Sequence, residues 1–191
     1  MIPPEYHAYH EAGHTLALHC SSVFDVDYIE LDDPRGYFVR NKWRGNEEDP
    51  PSCLAHLEKV FVAFAGEYSG RRYLLEAGHA ATNSEIEEGL TNDRNSAESQ
   101  LAKIALQNSR TQLRLANERF FAKRDVWAGV HLVAKQILVQ KSGRIMGDEV
   151  STRLNTLIPT SVNRPPIPLQ IIWKGVLKRF IRKKWERLLG R

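Results

Sequence analysis

Apolar positions along this chain recur mostly at helical steps and alternate only briefly. Over residues 5–20, Ala8, Ala12, Leu16 and Ala17 gather on one side, and Pro3 and Pro4 suit a first helical turn, where a missing N–H costs little. Residues 22–31 switch to a rough alternation of β-branched and aromatic residues, which predicts a strand. Asp33, Pro34, Arg35 and Gly36 form a turn signal, and Tyr37, Phe38 and Val39 resume the strand pattern. A β-hairpin across 26–42 is the simplest reading, followed by a loop at 45–52. Residues 53–76 return to helix, with Leu54, Leu57, Val60, Phe61, Phe64 and Ala65 at three- and four-residue steps. Gly66 and Gly70 interrupt that pattern and permit close packing or a kink.

Further on, 78–83 reads as a loop and 84–89 as a short helical turn. A helix is expected over 91–107, capped by Thr91 or Asn92. Residues 109–140 predict one long helix, stopped near Gly143, with Phe120, Phe121 and Trp127 in the core. A short helix is expected from Gly147 to about Leu157. Four prolines within 159–168 mark a linker. Beyond it, Leu169, Ile172, Trp173, Val176, Leu177, Phe180, Trp185 and Leu188 fall on one side of a helical wheel, with Lys174, Lys178, Arg182 and Lys183 elsewhere. That is a basic amphipathic helix. The expected organisation is a domain over 1–157, a linker over 158–168 and a C-terminal helix over 169–191. The fold class is mainly α, a helical domain with a small β-hairpin beside its first helix.

Charge sharpens this division. Residues 158–191 carry nine Lys/Arg and one acid, a net +8, whereas the remaining 157 residues carry −4. A basic tail on an acidic body suggests a partner of its own: an anionic lipid surface, nucleic acid or an acidic protein face. No nucleic-acid recognition motif accompanies it, so nucleic acid is not favoured. Two cysteines, Cys20 and Cys53, exclude a disulfide framework or a Cys-rich zinc site and read as small buried apolar residues. No signal peptide, no run of about 18 apolar residues and no GxxxxGK[ST] phosphate loop is visible, so the expectation is a cytoplasmic protein, membrane-associated at most.

The clearest chemical signal is His10-Glu11-Ala12-Gly13-His14. On a helix, positions i and i+4 share a face, so two imidazoles can aim at one Zn²⁺. Glu11 can reach a water activated there and take its proton as the water attacks a carbonyl. Zinc needs a third protein ligand, and the HExxHxxGxxH pattern does not supply it, because Ala17 and Cys20 stand at the Gly and third His positions. His19 lies off the face of His14 and reads as packed or exposed. Glu30, on the expected strand, does not obviously return to the site.

The stretch Ala8-Tyr9-His10-Glu11-Ala12-Gly13-His14 resembles the active-site helix of the FtsH-type, or M41, zinc peptidases. Val62 to Glu67 resembles that family's Ala-Gly-Arg-Ala-Ala-Glu helix, with Gly66-Glu67-Tyr68-Ser69-Gly70 departing from it. Thr91-Asn92-Asp93 with Ala97 resembles its Ser-Asn-Asp segment, and 118–157 its C-terminal helices. The resemblance covers roughly residues 5–157. It implies His10, His14 and Asp93 as zinc ligands and Glu11 as the base. Residues 83–87 can be aligned to the same family segment, which makes Glu85 the alternative ligand; Asp93 is favoured because it keeps the Asp and the following Ala. Glu85, Glu87 and Glu88 otherwise read as a solvated helix start.

The activity so implied is zinc-dependent hydrolysis of short or unfolded polypeptides. FtsH-type enzymes carry an ATPase in the same chain; here ATP-driven unfolding calls for a separate ATPase. A homo-oligomer is also possible. His7 and His79 are candidate cleft residues against a plainer reading as exposed histidines. Tyr37, Phe38 and Val39 are a candidate edge strand for a peptide substrate. The reading from another class is a catalytically silent module that works through its basic helix, as a membrane, nucleic-acid or protein-binding element.

Overall fold

The computed structural model describes residues 2–31, 37–44, 52–80, 84–140, 142–159 and 165–188. The side chains of Glu85, Arg179, Phe180 and residues 182–188 lie outside that description. The expected turn at 33–36, most of the 45–52 loop and part of the 159–168 linker also fall outside it. Within it the protein is mainly helical, with one small three-stranded antiparallel sheet.

Helix α1 spans Pro4–His19 and starts with Pro4 in its first turn, as the sequence implied. The long helix α2, Cys53–Glu76, begins at Ser52, whose hydroxyl accepts the Ala55 N–H and so satisfies one of the free donors of the first turn. The two helices approach through small residues. A Cβ on Gly13 would lie 2.4 Å from the Ala65 carbonyl, and one on Gly70 would lie 2.6 Å from the Tyr6 ring. The glycines that interrupt the sequence pattern therefore permit contact rather than a kink, since α2 runs unbroken through both.

The strands are β1 (Phe24–Glu30), β2 (Phe38–Trp43) and β3 (Arg144–Met146), in the order β2-β1-β3. The expected hairpin is present, with Phe24 opposite Trp43 and Glu30 opposite Phe38. A bulge between Val26 and Tyr28 shifts the register, so the buried positions run Phe24, Val26, Ile29 instead of keeping strict alternation. That shift explains why the sequence alternation is only rough. The sequence pattern gave no sign of β3, because three residues are too short to show a period. Glu58, buried on α2, anchors the start of β1 by accepting from the Ser21 and Ser22 hydroxyls and from the Ser22 and Val23 N–H groups.

Short helix α3 (Ser84–Gly89) leads almost directly into α4 (Thr91–Lys103). Neither Thr91 nor Asn92 caps α4. Leu90 holds the cap position in helical conformation, and the Thr91 hydroxyl donates backwards to the Glu87 carbonyl. Helix α4 also ends earlier than expected, and Ala105 takes φ 55 before a 3-10 turn at Gln107–Ser109. The long helix expected over 109–140 is two: α5 (Arg110–Phe121) and α6 (Arg124–Gln140). The break at Ala122 and Lys123 carries no Gly or Pro. It lets Phe120 and Phe121 enter the core while α6 turns to lay Val126, Val130, Val133 and Ile137 in that same core, against α1. Helix α7 covers Gly147–Asn155, and α8 covers Leu169–Leu188.

Trp127, Phe120, Phe121, Cys20 and Cys53 are all buried, as expected. Burial pushes the Cys20 thiol up to about 12. Ile158, at the start of the expected linker, packs in the same core as α1 and α6. The docked side of α8 is also not the whole expected stripe. Ile171 and Gly175 are buried and Ile172 is half-buried, whereas Trp173, Val176 and Leu177 are exposed. Among the described residues no helix is long and apolar enough to cross a membrane.

Candidate metal centre

His10 and His14 lie one turn apart on α1, and their Nε2 atoms are 3.0 Å from each other. Asp93, in the first turn of α4, brings Oδ2 to 3.1 Å from His10 Nε2 and 3.2 Å from His14 Nε2. The three residues are 83 positions apart in sequence at their extremes and meet because α1 and α4 both pack on α2. Gly66 on α2 makes room for them. A Cβ there would sit 2.5 Å from the His14 ring and 2.8 Å from His10 Cε1.

The orientation of the donors is as informative as their distances. His14 Nδ1 lies 2.8 Å from the Val62 carbonyl oxygen, which can only accept. Nδ1 therefore carries the proton, and in the neutral ring Nε2 is left with a lone pair facing Asp93. Asp93 Oδ2 is buried and stands within ion-pair distance of both ring nitrogens. The three atoms lie within 3.2 Å of one another. Two imidazole nitrogens and one carboxylate oxygen are a donor set that zinc accepts. Bonds of about 2.0–2.1 Å in tetrahedral array require donor separations of roughly 3.3 Å, close to the spacing seen. The residues present therefore fit a zinc ion. His10 Nδ1 has no described partner, so this ring lacks the second support that Val62 gives His14.

Electrostatics follow the same geometry. Burial acts to raise the Asp93 carboxyl, but the adjacent His14 and His10 outweigh it and hold the group far below the usual carboxylate range. Burial acts to lower the His14 imidazole, and Asp93, Glu11 and the Val62 carbonyl together bring it instead to about 9. Glu11 is pushed upward by burial, against the pull of both imidazoles and a backbone hydrogen bond from Val39. Its Oε1 stands 4.0 Å from His10 Nε2. One donor atom each from His10, Glu11 and His14 lies within 4.8 Å of the others.

A network that the sequence did not reveal surrounds Arg94, the neighbour of Asp93 in the chain. Glu67 follows Gly66 and is buried on α2. It accepts from Arg94 at 2.7 Å and 3.3 Å and from Arg114 at 3.1 Å, and pairs with Arg71 at 3.2 Å. Glu87 accepts from Arg94 at 2.7 Å and also pairs with Arg71. Burial opposes ionisation of Glu67, but the Arg94 bond and the charges of Arg114 and Arg71 win and lower its carboxyl. Glu87 is thus an ion-pair residue, not a simple solvated acid. The only sequence hint was position, because Glu67 adjoins Gly66 and Arg94 adjoins Asp93.

The three donors and Glu11 line a cleft of about 620 Å³. Its wall includes Leu18, Phe24, Val39 and Val62, with Lys59 and Gln100 as polar members. Strand β2, at the edge of the sheet, contributes Phe38, Val39 and Asn41. His7 is exposed and lines the cleft, whereas His79 is exposed and outside it. His19 is buried, with Nε2 3.1 Å from the Ile158 carbonyl, and Glu30 pairs with Arg144. Neither approaches the donors. The side chain of Glu85, the alternative ligand, lies outside the described residues. Comparison of the chain with protein-family models, with curated proteins and with solved structures finds no match.

Proposed function

We propose that this protein is a zinc-dependent peptidase acting on short or unfolded polypeptides, with an FtsH-like arrangement of its peptidase helices. The observation that carries the reading is the buried Asp93 Oδ2, which stands 3.1 Å and 3.2 Å from two imidazole nitrogens of an HExxH helix. His10, His14 and Asp93 would hold the ion. Bound there, zinc supplies Lewis-acid polarisation of a carbonyl and a lowered pKa for a coordinated water.

The chain's own residues account for the remaining chemistry. Glu11 stands beside the three donors in a partly desolvated position that makes its carboxylate more basic than usual. It takes the proton of the attacking water at Oε1 and delivers it to the leaving amine nitrogen. The Val39 backbone bond fixes the carboxylate and ties it to β2. The edge position of β2 suits an extended peptide that adds to the sheet through its main chain. Leu18, Phe24 and Val62 beside it suit an apolar substrate side chain.

The test pairs metal analysis with hydrolysis of unfolded casein. Wild type should contain about one zinc per chain, the single-site stoichiometry of such centres. Glu11→Gln should keep the zinc and lose on the order of 10²–10⁴-fold in rate, the range for a general base. Full activity in Glu11→Gln, or no metal in wild type supplied with zinc, would overturn the reading.

A further inference from the structure

Helix α8 holds the body with one side and turns a second apolar side away from it. Ile171 packs with Leu57 and Leu106, a Cβ on Gly175 would meet Cys53 Sγ at 2.0 Å, and Lys178 donates to the Ala105 carbonyl at the end of α4. The other side carries Leu169, Trp173, Val176, Leu177 and Ile181, exposed by 71%, 69%, 46%, 58% and 46%. Steps of three and four residues align them into a stripe about 18 Å long at 1.5 Å per residue. Large apolar residues grouped on one exposed helix face mark a contact surface.

We propose that this face is a membrane-surface contact, which seats the stripe among the acyl chains of an anionic lipid leaflet. The argument is charge complementarity. Residues 169–191 carry eight Lys/Arg and one acid, whereas residues 1–157 are net acidic. An anionic surface therefore attracts the helix and repels the body, which orients the molecule with α8 against the lipid. Lys174 is exposed on the same stretch of helix. Trp173 has the amphipathic ring that sits well at headgroup level. Nucleic acid would use the cations and leave an aliphatic stripe without a role. A second copy of the chain would need about 20–30 residues a side for a standard interface, and the stripe has five. The proposal does not depend on the peptidase reading.

The test is co-sedimentation of the full chain with vesicles of phosphatidylcholine alone or mixed with phosphatidylglycerol. Binding to the mixed vesicles only, weakened by added salt, is expected. Trp173→Ser with Leu177→Ser should lower that binding roughly tenfold or more, since two large side chains leave the apolar phase. Lys174→Glu should lower it through charge. Circular dichroism checks the fold, and Trp173→Gln alone carries the test if the double variant misfolds. Equal binding to neutral vesicles, or undiminished binding by the double variant, would overturn the proposal. So would a self-association abolished by the double variant, or binding to duplex DNA, in a chain that ignores both vesicles.

Discussion

Two helices reach α2 through glycine, and they are held in very different ways. At the α1 contact, Gly13, Gly66 and Gly70 remove side chains from the crossing, and hydrogen bonds and ion pairs surround it. At the α8 contact, Gly175 meets Cys53, with Ile167 and Ile171 beside it and Lys178 as the described side-chain bond. The first contact buries ionisable groups and must place them accurately. The second buries apolar groups and has no such requirement. Close approach alone therefore does not make a rigid site. At the candidate metal centre, Glu67 on α2 and Arg94 on α4 grip each other beside Asp93.

That contrast can be tested by removal, from the largest expected effect downwards. Asp93→Ala takes away one of three converging donors and should lower zinc affinity by several orders of magnitude, read by chelator competition. Vesicle binding through α8 should be untouched. An unchanged zinc affinity would show that Asp93 is not a ligand and reopen the case for Glu85.

Glu67→Gln comes next. It leaves Arg94 and Arg114 without their shared carboxylate and loosens Asp93 without touching a donor. Zinc affinity should fall about 10–100-fold, the usual range for outer partners of a metal site. Stability should fall by about 2 kcal/mol, modest because Arg94 and Arg114 reach solvent. The Glu67 carboxyl is lowered in the folded state. Its contribution is therefore present above the unfolded carboxylate pKa and is lost as pH falls through the folded value. Thermal melts from neutral to acid pH, compared with the variant, check the sign. If the variant loses stability but keeps zinc affinity, Glu67 braces the fold without positioning Asp93.

Metal-free His14 stands at about 9, so it carries a proton at neutral pH that zinc must displace. Zinc affinity should accordingly weaken as pH falls below that value, approaching about tenfold per unit for one proton released. Proton uptake or release during titration calorimetry checks it. A pH-independent affinity between neutral and mildly alkaline conditions would contradict the assignment.

The smallest effects belong to α8. Ile171→Ala should destabilise its docking by about 2 kcal/mol, the lower end for a core isoleucine, because the neighbouring chain can relax. Hydrogen exchange should then rise across 169–181 and stay unchanged over α1 and α2. Trp173→Ser, on the outer face, should leave stability within about 0.5 kcal/mol. Loss of zinc in Ile171→Ala would show that the two contacts on α2 are coupled after all.

Much of this was legible before the structure. The HExxH spacing put His10 and His14 on one face with Glu11 beside them, and Gly66 and Gly70 signalled a close contact or a kink. Other features left no periodic trace. The break at Ala122 has no Gly or Pro, β3 has three residues, and the bulge at Asp27 disguises its own alternation. The cap expected at Thr91 failed because α3 delivers Leu90 already helical, so capping by a side chain is not needed. The Glu67 network was invisible because its residues are ordinary surface types, and only the packing of neighbouring helices around α2 brings them together.

By itself, then, the sequence determined what depends on local spacing: helices from three- and four-residue steps, a hairpin, two imidazoles one turn apart and a basic amphipathic tail. Short-range geometry fixes those, because backbone hydrogen bonding sets the period. Tertiary structure alone decided which side of α8 is covered and where the chain breaks between α5 and α6. Those outcomes depend on contacts between residues far apart in the chain, and no local period encodes them.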